Sequence, residues 1–445
     1  MRKKQSLSFN IQIMKKIATL ILLLLTMAVY NRSLAQESLT LTLDAARQYA
    51  IEYNKVLKNA SLAVDAADKR YWETISAGLP RVDATMDYTN FMGAEISFKF
   101  GEGTPMTIPF KPTSNFSLTV AQLIFNGNYW IGLQTANIMR DLTETSFEKT
   151  ELEIREQVAI AYYSVLVSEK SVDIIMQNLD NIKDVYNKTN TMYSVGIAEI
   201  TDVDQLAVQV SLLENAAKSL SRQVEMAYNL LRIQLGVTAE TKITLTESLD
   251  EIMAGMDHIT TLATPLELNE NVDYRLMNSQ QLLSKKQVNM EIMSCLPSIT
   301  GFYSNTQKIL RPDFDMTPPN MLGLQMNVPI FASGMRKAKW DQAKINYETT
   351  LNTKALLTDQ LLIQEKQLRY NLTTAIEQYE SQKENVAVSK RVFDNLNLKY
   401  EQGLVSSLDL TTANSNYLQS ETNYITATMQ LLNADLALNK LLNTL

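Results

Sequence analysis

Two hydrophobic rhythms divide this chain. In the first, apolar residues recur every three or four positions. Val158, Tyr162, Val165, Val172, Met176, Leu179 and Tyr186 keep that spacing, broken by Glu169 and Lys183. A second seam runs through Ile154, Ala161, Ile175 and Ile182. Leu361, Leu368, Leu372, Ala375, Tyr379, Val386, Phe393 and Tyr400 repeat the rhythm further on. A helix with two seams can pack a neighbour on each side, as in a ring of coiled coils. Between 133 and 235 the only glycine is Gly196, and between 335 and 445 it is Gly403; neither span holds a proline. Glycine is the usual residue where a helix ends with φ > 0. Each span therefore predicts one long helical hairpin turned at its single glycine. At 1.5 Å per residue, the arm 335–402 would reach roughly 100 Å.

The second rhythm is strict alternation. Val82, Ala84, Met86 and Tyr88 oppose Asp83, Thr85, Asp87 and Thr89. Phe116, Leu118 and Val120 oppose Asn115, Ser117 and Thr119. Leu322, Leu324, Met326, Val328 and Ile330 oppose Gly323, Gln325 and Asn327, and Ile299, Gly301 and Tyr303 form a weaker fourth case. This pattern predicts strands with one wet and one greasy face. At about 10–15 residues, each is long enough to cross a bilayer at a tilt. Two half-buried hairpins on a soluble core would alternate in the same way. Four strands cannot close a barrel, and open edges are not tolerated in lipid, so a membrane role demands that subunits associate.

The two rhythms occur twice. At an offset of 207, Gly127 meets Gly334, Tyr193 meets Tyr400, Asp202 meets Asp409, Glu214 meets Glu421 and Leu235 meets Leu442. At 217, Asn54 meets Asn271, Lys58 meets Arg275, and Leu79-Pro80 meets Leu296-Pro297. Phe125 and Phe331 close equivalent segments. The change of offset marks about ten extra residues around Phe100–Pro105, and such an insertion belongs in a loop tip. Residues 36–236 form the first repeat, with a strand pair about 80–125 and a hairpin from 133. Residues 237–265 link it to the second, 266–445, with a strand pair about 297–331 and a hairpin from 335.

Residues 1–35 resemble a secretory signal peptide. Arg2, Lys3, Lys4, Lys15 and Lys16 precede the apolar run Ile17–Val29, and Ser33-Leu34-Ala35 precedes a cleavage site near Gln36. Met14 is a second candidate start. Six of the 41 Lys and Arg residues and no acid lie in 1–35, which leaves 35 basic against 48 acidic residues, a formal −13. That balance argues against nucleic acid and suits a surface or lumen that tolerates cations. A single cysteine, Cys295, excludes intrachain disulfides.

In this order and spacing, behind a signal peptide, the chain resembles the TolC-like family of outer-membrane efflux proteins. The resemblance covers essentially all of the mature chain. It rests on the duplication, the Leu-Pro before each first strand, Phe125-Asn126-Gly127 and Phe331-Ala332-Ser333-Gly334 after each second strand, and the two Tyr-x-x-Gly tips. It implies a mixed α/β membrane protein. Three subunits would form a twelve-stranded transmembrane β-barrel continuous with a long periplasmic α-helical coiled-coil barrel. It implies a passive exit duct of a tripartite efflux or type I secretion system. The partners would be two further copies, a periplasmic adaptor, an inner-membrane transporter and outer-membrane lipid. A periplasmic coiled-coil adaptor, or a helical structural protein without a pore, is the alternative.

The family's periplasmic gate maps onto Asp202, Thr201 and Tyr400, the tyrosine bonding an aspartate in a neighbouring hairpin. Asp409 matches an acidic ring that selects cations. Val195, Gly196 and Ile197, with Gln402, Gly403 and Leu404, match adaptor-docking tips. The family's best-known member has an Arg two residues after the second-tip glycine and a second acidic ring; here those positions hold Val405 and Thr412. The aspartates have a plainer reading as well. Thr201-x-x-Asp204 and Ser406-x-x-Asp409 look like capping boxes. The lone mature histidine, His258, reads as a solvated linker residue, since metal sites need several ligands. No metal cluster, phosphate loop or nucleophile elbow is present, and neither catalysis nor a cofactor is expected.

Overall fold

The computed structural model describes residues 38–99, 101, 106–311 and 318–445. The leader expected at 1–35, and most of the Phe100–Pro105 insertion, lie outside these residues. Two compact units divide the chain, and neither is a sequence repeat. One gathers the described residues up to Lys55, with Ile154–Leu262 and Asn371–Ala437; the other holds Val56–Glu153, Ala263–Tyr370 and Leu438–Leu445.

The sheet unit contains β2 (Arg81–Thr89), β5 (Thr113–Phe125), β7 (Ser298–Leu310) and β8 (Asn320–Asn327), hydrogen-bonded in the order β2-β5-β7-β8. All neighbours are antiparallel. The central pair, β5 with β7, joins the two repeats. The register sorts the side chains as the alternation requires. Val82, Ala84 and Met86 stand opposite Val120, Leu118 and Phe116. Val120 then meets Tyr303, and Tyr303 meets Leu322. On the other face Ser117 and Thr306 are bonded at 3.0 Å, and Thr119 and Ser304 at 3.1 Å. Phe302 also sits on this wet face, flat against Gly323; a Cβ there would lie 2.6 Å from the ring. An aromatic opposite a glycine restores packing the glycine lacks.

Strand β8 stops at Asn327, short of Val328 and Ile330, which alternation alone placed in it. Pro329 explains the stop: it has no N–H to donate, and its ring restricts Val328. The insertion is more than a loop tip, since β3 (Glu95–Phe98) and β4 (Met106–Pro109) pair as a small hairpin of their own. The same unit holds α2 (Lys55–Ser76) and α7 (Val272–Met293).

Helices α3 (Gly127–Ser194) and α8 (Met335–Glu401) are the long ones. Helix α3 starts six residues before the expected 133. Asn126 caps it, its Oδ1 accepting the N–H of Asn128 at 2.9 Å. Gly127 lets α3 pack close to the end of α7, where an added Cβ would lie 3.0 Å from the Met293 carbonyl oxygen. In this unit Asn271 caps α7 and donates from Nδ2 to Leu441 O at 3.1 Å.

The helical unit holds β1 (Ser38–Leu41), α1 (Leu43–Tyr53), α4 (Ile200–Leu235), β6 (Lys242–Leu245), α5 (Leu249–Gly255), α6 (His258–Ala263) and most of α9 (Ser407–Leu442). Strands β1 and β6 pair in parallel. Neither was expected, because four residues are too few for alternation to show. Glu247 closes this corner, accepting from Leu43 N–H at 2.6 Å and from the fully buried Tyr162 hydroxyl at 3.0 Å. Asn54 mirrors Asn271: its Nδ2 donates to Gln234 O at 2.6 Å. The repeat at offset 217 thus preserves a buried amide that binds a carbonyl near the end of a long helix. The seams are the buried stripes. Val158, Ala161, Tyr162, Val165, Ile182 and Leu372 are completely buried, and each buried valine, leucine or isoleucine contributes about 1.5–3 kcal/mol. Met176 is the exception at 43% exposed.

Candidate functional site at the helical tips

Both hairpin turns follow from one backbone device. Gly196 has φ +79° and Gly403 has φ +70°. Gly196 N–H donates to Tyr193 O at 2.9 Å, and Ile197 N–H to Met192 O at 2.9 Å. Gly403 to Tyr400 and Leu404 to Lys399 repeat both bonds at 2.9 Å. These pairs satisfy the last carbonyls of α3 and α8. A side chain at either glycine would meet open space, so the glycine is required by φ alone. Val195, Ile197 and Leu404 are about two-thirds exposed or more. Gln402 and both glycines are exposed too, so all six expected docking-tip residues lie at the surface.

Below the turns, the four helices share a core. Leu179, Ile182 and Val185 of α3 pack with Leu206 and Leu213 of α4, Phe393 of α8, and Leu410 and Ala413 of α9. A buried amide pair crosses it: Asn178 Nδ2 donates to Asn414 Oδ1 at 2.5 Å, and Asn414 Nδ2 to Asn178 Oδ1 at 3.2 Å. A hollow of about 240 Å³ opens between α3 and α8, lined by Val185, Lys188, Met192, Asn397, Tyr400 and Glu401. Lys188 and Glu401 join across it at 2.6 Å, and that bond raises the lysine's pKa.

Tyr400 lies at the edge of this core. Its hydroxyl is 2.8 Å from Thr189 Oγ1. Thr189 already donates to Val185 O, so Tyr400 is the donor to Thr189. Burial raises the tyrosine's pKa, and the nearby charge of Asp202 adds to the rise. Asp202 faces a different partner: its Oδ1 accepts from Ser407 Oγ, at the first residue of α9. Among the described residues of one chain, no hydrogen bond joins Tyr400 to Asp202. The aspartate's other oxygen accepts from Glu199 N–H at 3.4 Å.

That last bond corrects the expected capping box. The first-repeat box is Glu199 with Asp202, not Thr201 with Asp204. Helix α4 begins two residues earlier than a Thr cap requires, and Thr201 lies inside it, donating to Glu199 Oε2 at 3.3 Å. The offset of 207 carried the answer, for it maps Ser406 and Asp409 onto Glu199 and Asp202. Threonine's stronger capping preference pointed elsewhere. The second box is as expected: Asp409 accepts from Ser406 N–H at 3.2 Å and Ser406 Oγ at 2.7 Å. Those bonds, the side-chain one first, lower its pKa. Thr189 and Ser407 were missed. Their positions match Leu396 and Ile200 at the repeat offset, so duplication could not mark them.

His258 is not a solvated linker residue. It begins α6, half-buried, with Nδ1 3.6 Å from Asp435 Oδ1. No group of three or more metal-ligating side chains occurs among the described residues, and no helix among them is long and apolar enough to cross a membrane.

The sheet thus bares an apolar face, and the helical tips are capped and exposed. The model of the outer membrane efflux protein family matches residues 46–237 and 268–444, and the chain belongs to that family. It is 21% identical over 377 residues to the outer membrane protein TolC of Salmonella enteritidis, covering 81% of this chain and 74% of the relative. It is 22% identical over 411 residues to the probable efflux pump outer membrane protein TtgC of Pseudomonas putida, covering 84% and 77%. Among solved structures, the outer membrane protein VceC of Vibrio cholerae superposes with a TM-score of 0.72 at 15% identity, over 90% of this chain and 95% of that one. A membrane protein of Pseudomonas aeruginosa gives 0.75 at 15% identity, over 90% and 92%. The protein is thus an outer-membrane efflux channel component with a long helical periplasmic extension, and not an enzyme.

Proposed function

We propose that three copies of this chain form one exit duct, each contributing four strands to a closed barrel. An inner-membrane transporter and a periplasmic adaptor would load it, the adaptor docking on the tips at 195–197 and 402–404. The carrying observation is the sheet itself. Its apolar face is bare, with Val82, Met86, Leu322 and Leu324 between 62% and 83% exposed. Among the described residues, strands β2 and β8 leave unpaired edges. Lipid tolerates the face but not the edges, so closure must come from other copies. At the tips, Asp202 and Tyr400 form the gate between neighbouring hairpins, and three Asp409 carboxylates form the acidic ring. Light scattering and crosslinking in detergent should give a trimer with heat-resistant β structure. A stable monomer in the outer-membrane fraction would sink this assembly.

A further inference from the structure

The chain has three tryptophans, and all three stand near the helix ends that feed the four-stranded sheet. Trp72 is four residues from the end of α2, which leads into β2. Trp130 is three residues into α3, which follows β5. Trp340 is five residues into α8, which follows β8. Trp72 and Trp130 are more than half exposed. Tryptophan concentrates where hydrocarbon meets headgroups.

A second observation is electrostatic. Arg336, Lys337, Lys339 and Lys344 fall within the first ten residues of α8, against the single acid Asp341. A helix start favours anionic side chains. The starts of α4 and α9 carry Asp202 and Asp409, whereas the first turn of α8 has no acid. The rest of the mature chain is strongly acidic, so this cluster opposes both the helix and the molecule. The side chains are also arranged. Arg336 Nη1 is fixed on Pro329 O at 2.7 Å, Lys337 pairs with Asp341 at 2.8 Å, and Lys344 Nζ lies 3.5 Å from the Trp340 ring centroid. Lys339 is exposed. Two of the first four helix amides are already taken, Met335 N–H donating to Ala332 O at 2.9 Å and Ala338 N–H to Gly334 O at 3.1 Å.

We propose that Arg336, Lys337 and Lys339, at the same end of the sheet as the exposed Trp72 and Trp130, bind the phosphodiester headgroups of anionic phospholipids in the leaflet on the helical side of the sheet. The proposal rests on the membrane-spanning reading of that sheet. Basic side chains beside a bilayer surface favour anionic lipid, and the indoles fix their depth. The test reconstitutes the full chain into nanodiscs of phosphatidylcholine with one-tenth phosphatidylglycerol. Lipid retained on the protein after mild detergent extraction is then weighed by native mass spectrometry. Phosphatidylglycerol should be enriched several-fold over its share. The triple variant R336Q/K337Q/K339Q should lose the enrichment while keeping heat-resistant β structure. Lipids brominated just below the headgroup should quench tryptophan emission. Insertion without enrichment, or enrichment unchanged in the variant, overturns the headgroup site and leaves the channel reading intact. Displacement of the lipid by equal inorganic phosphate overturns phospholipid as the occupant. A chain that never inserts overturns both.

Discussion

Tyr400 has one hydroxyl proton, and within its own chain that proton goes to Thr189. A gate bond to Asp202 of a neighbouring hairpin must therefore compete with Thr189. Thr189→Val should free the tyrosine and lower single-channel conductance in planar bilayers, while Tyr400→Phe should raise it. Equal conductance in both variants would remove Tyr400 from the gate. Asp409 carries a different competition. In one chain the Ser406 bonds lower its pKa. A depressed carboxylate contributes its stability above the unfolded value and loses it as pH falls through the folded value. Three such carboxylates around one axis would push the other way, because like charges raise each other's pKa. The Ser406 bonds and the repulsion within a ring thus pull the same carboxylate's pKa in opposite directions. Asp409→Ala should abolish block by trivalent cations added on the periplasmic side and leave trimer yield intact. In the unaltered protein that block should fade in mildly acid solution, above the ordinary carboxylate value. Fading only below that value would mean that the Ser406 bonds outweigh the repulsion within the ring, and a block unaltered in Asp409→Ala would mean that Asp409 is a cap alone.

At the scale of elements, the buried amides offer the sharper test. Asn271 both accepts from Tyr274 N–H at 3.1 Å and donates to Leu441 O. Asn271→Ala loses cap and donor together, about 2–3 kcal/mol by the usual worth of each. Asn271→Asp keeps the acceptor but sets a buried carboxylate oxygen against Leu441 O, so it costs less than Asn271→Ala only if the cap dominates. Thermal melts of both variants decide the split. Gly196→Ala and Gly403→Ala meet no clash, so each should cost only the left-handed backbone, about 1–2 kcal/mol. Much of this layer was legible in the sequence, because long seams and single glycines leave few alternatives. Heptad spacing marked Val158 through Leu179, and alternation marked every strand of the large sheet. What stayed hidden was short or contingent. Strands β1 and β6 are too brief to show a period. The stop of β8 depended on weighing Pro329 above two well-placed apolar residues. Thr189 and Ser407 became visible only when four helices met, since each bond joins residues more than 200 positions apart.

At the scale of the whole molecule, charge separates two sources of selectivity. The chain from 36 onward carries 48 acids against 35 bases, and any assembly multiplies that excess. Acids on a wet face attract cations over about a Debye length, some 8 Å at physiological salt and 3 Å at 1 M. On the sheet, Asp83 is matched by Arg81 at 3.0 Å, whereas Asp87 stands opposite Asn115. Asp87 is therefore the less compensated charge. Reversal potentials in a potassium chloride gradient should show cation preference near 0.1 M that shrinks toward 1 M. Asp87→Asn should weaken that preference and leave trivalent block untouched. Asp409→Ala should do the reverse, because a ring of carboxylates at one constriction acts at contact distance, where salt screens least. If Asp87→Asn abolished the block as well, the blocking site would lie at the sheet and not at the tips. If neither variant moved the reversal potential, the preference would belong to acids spread along the helices, and no single residue would control it.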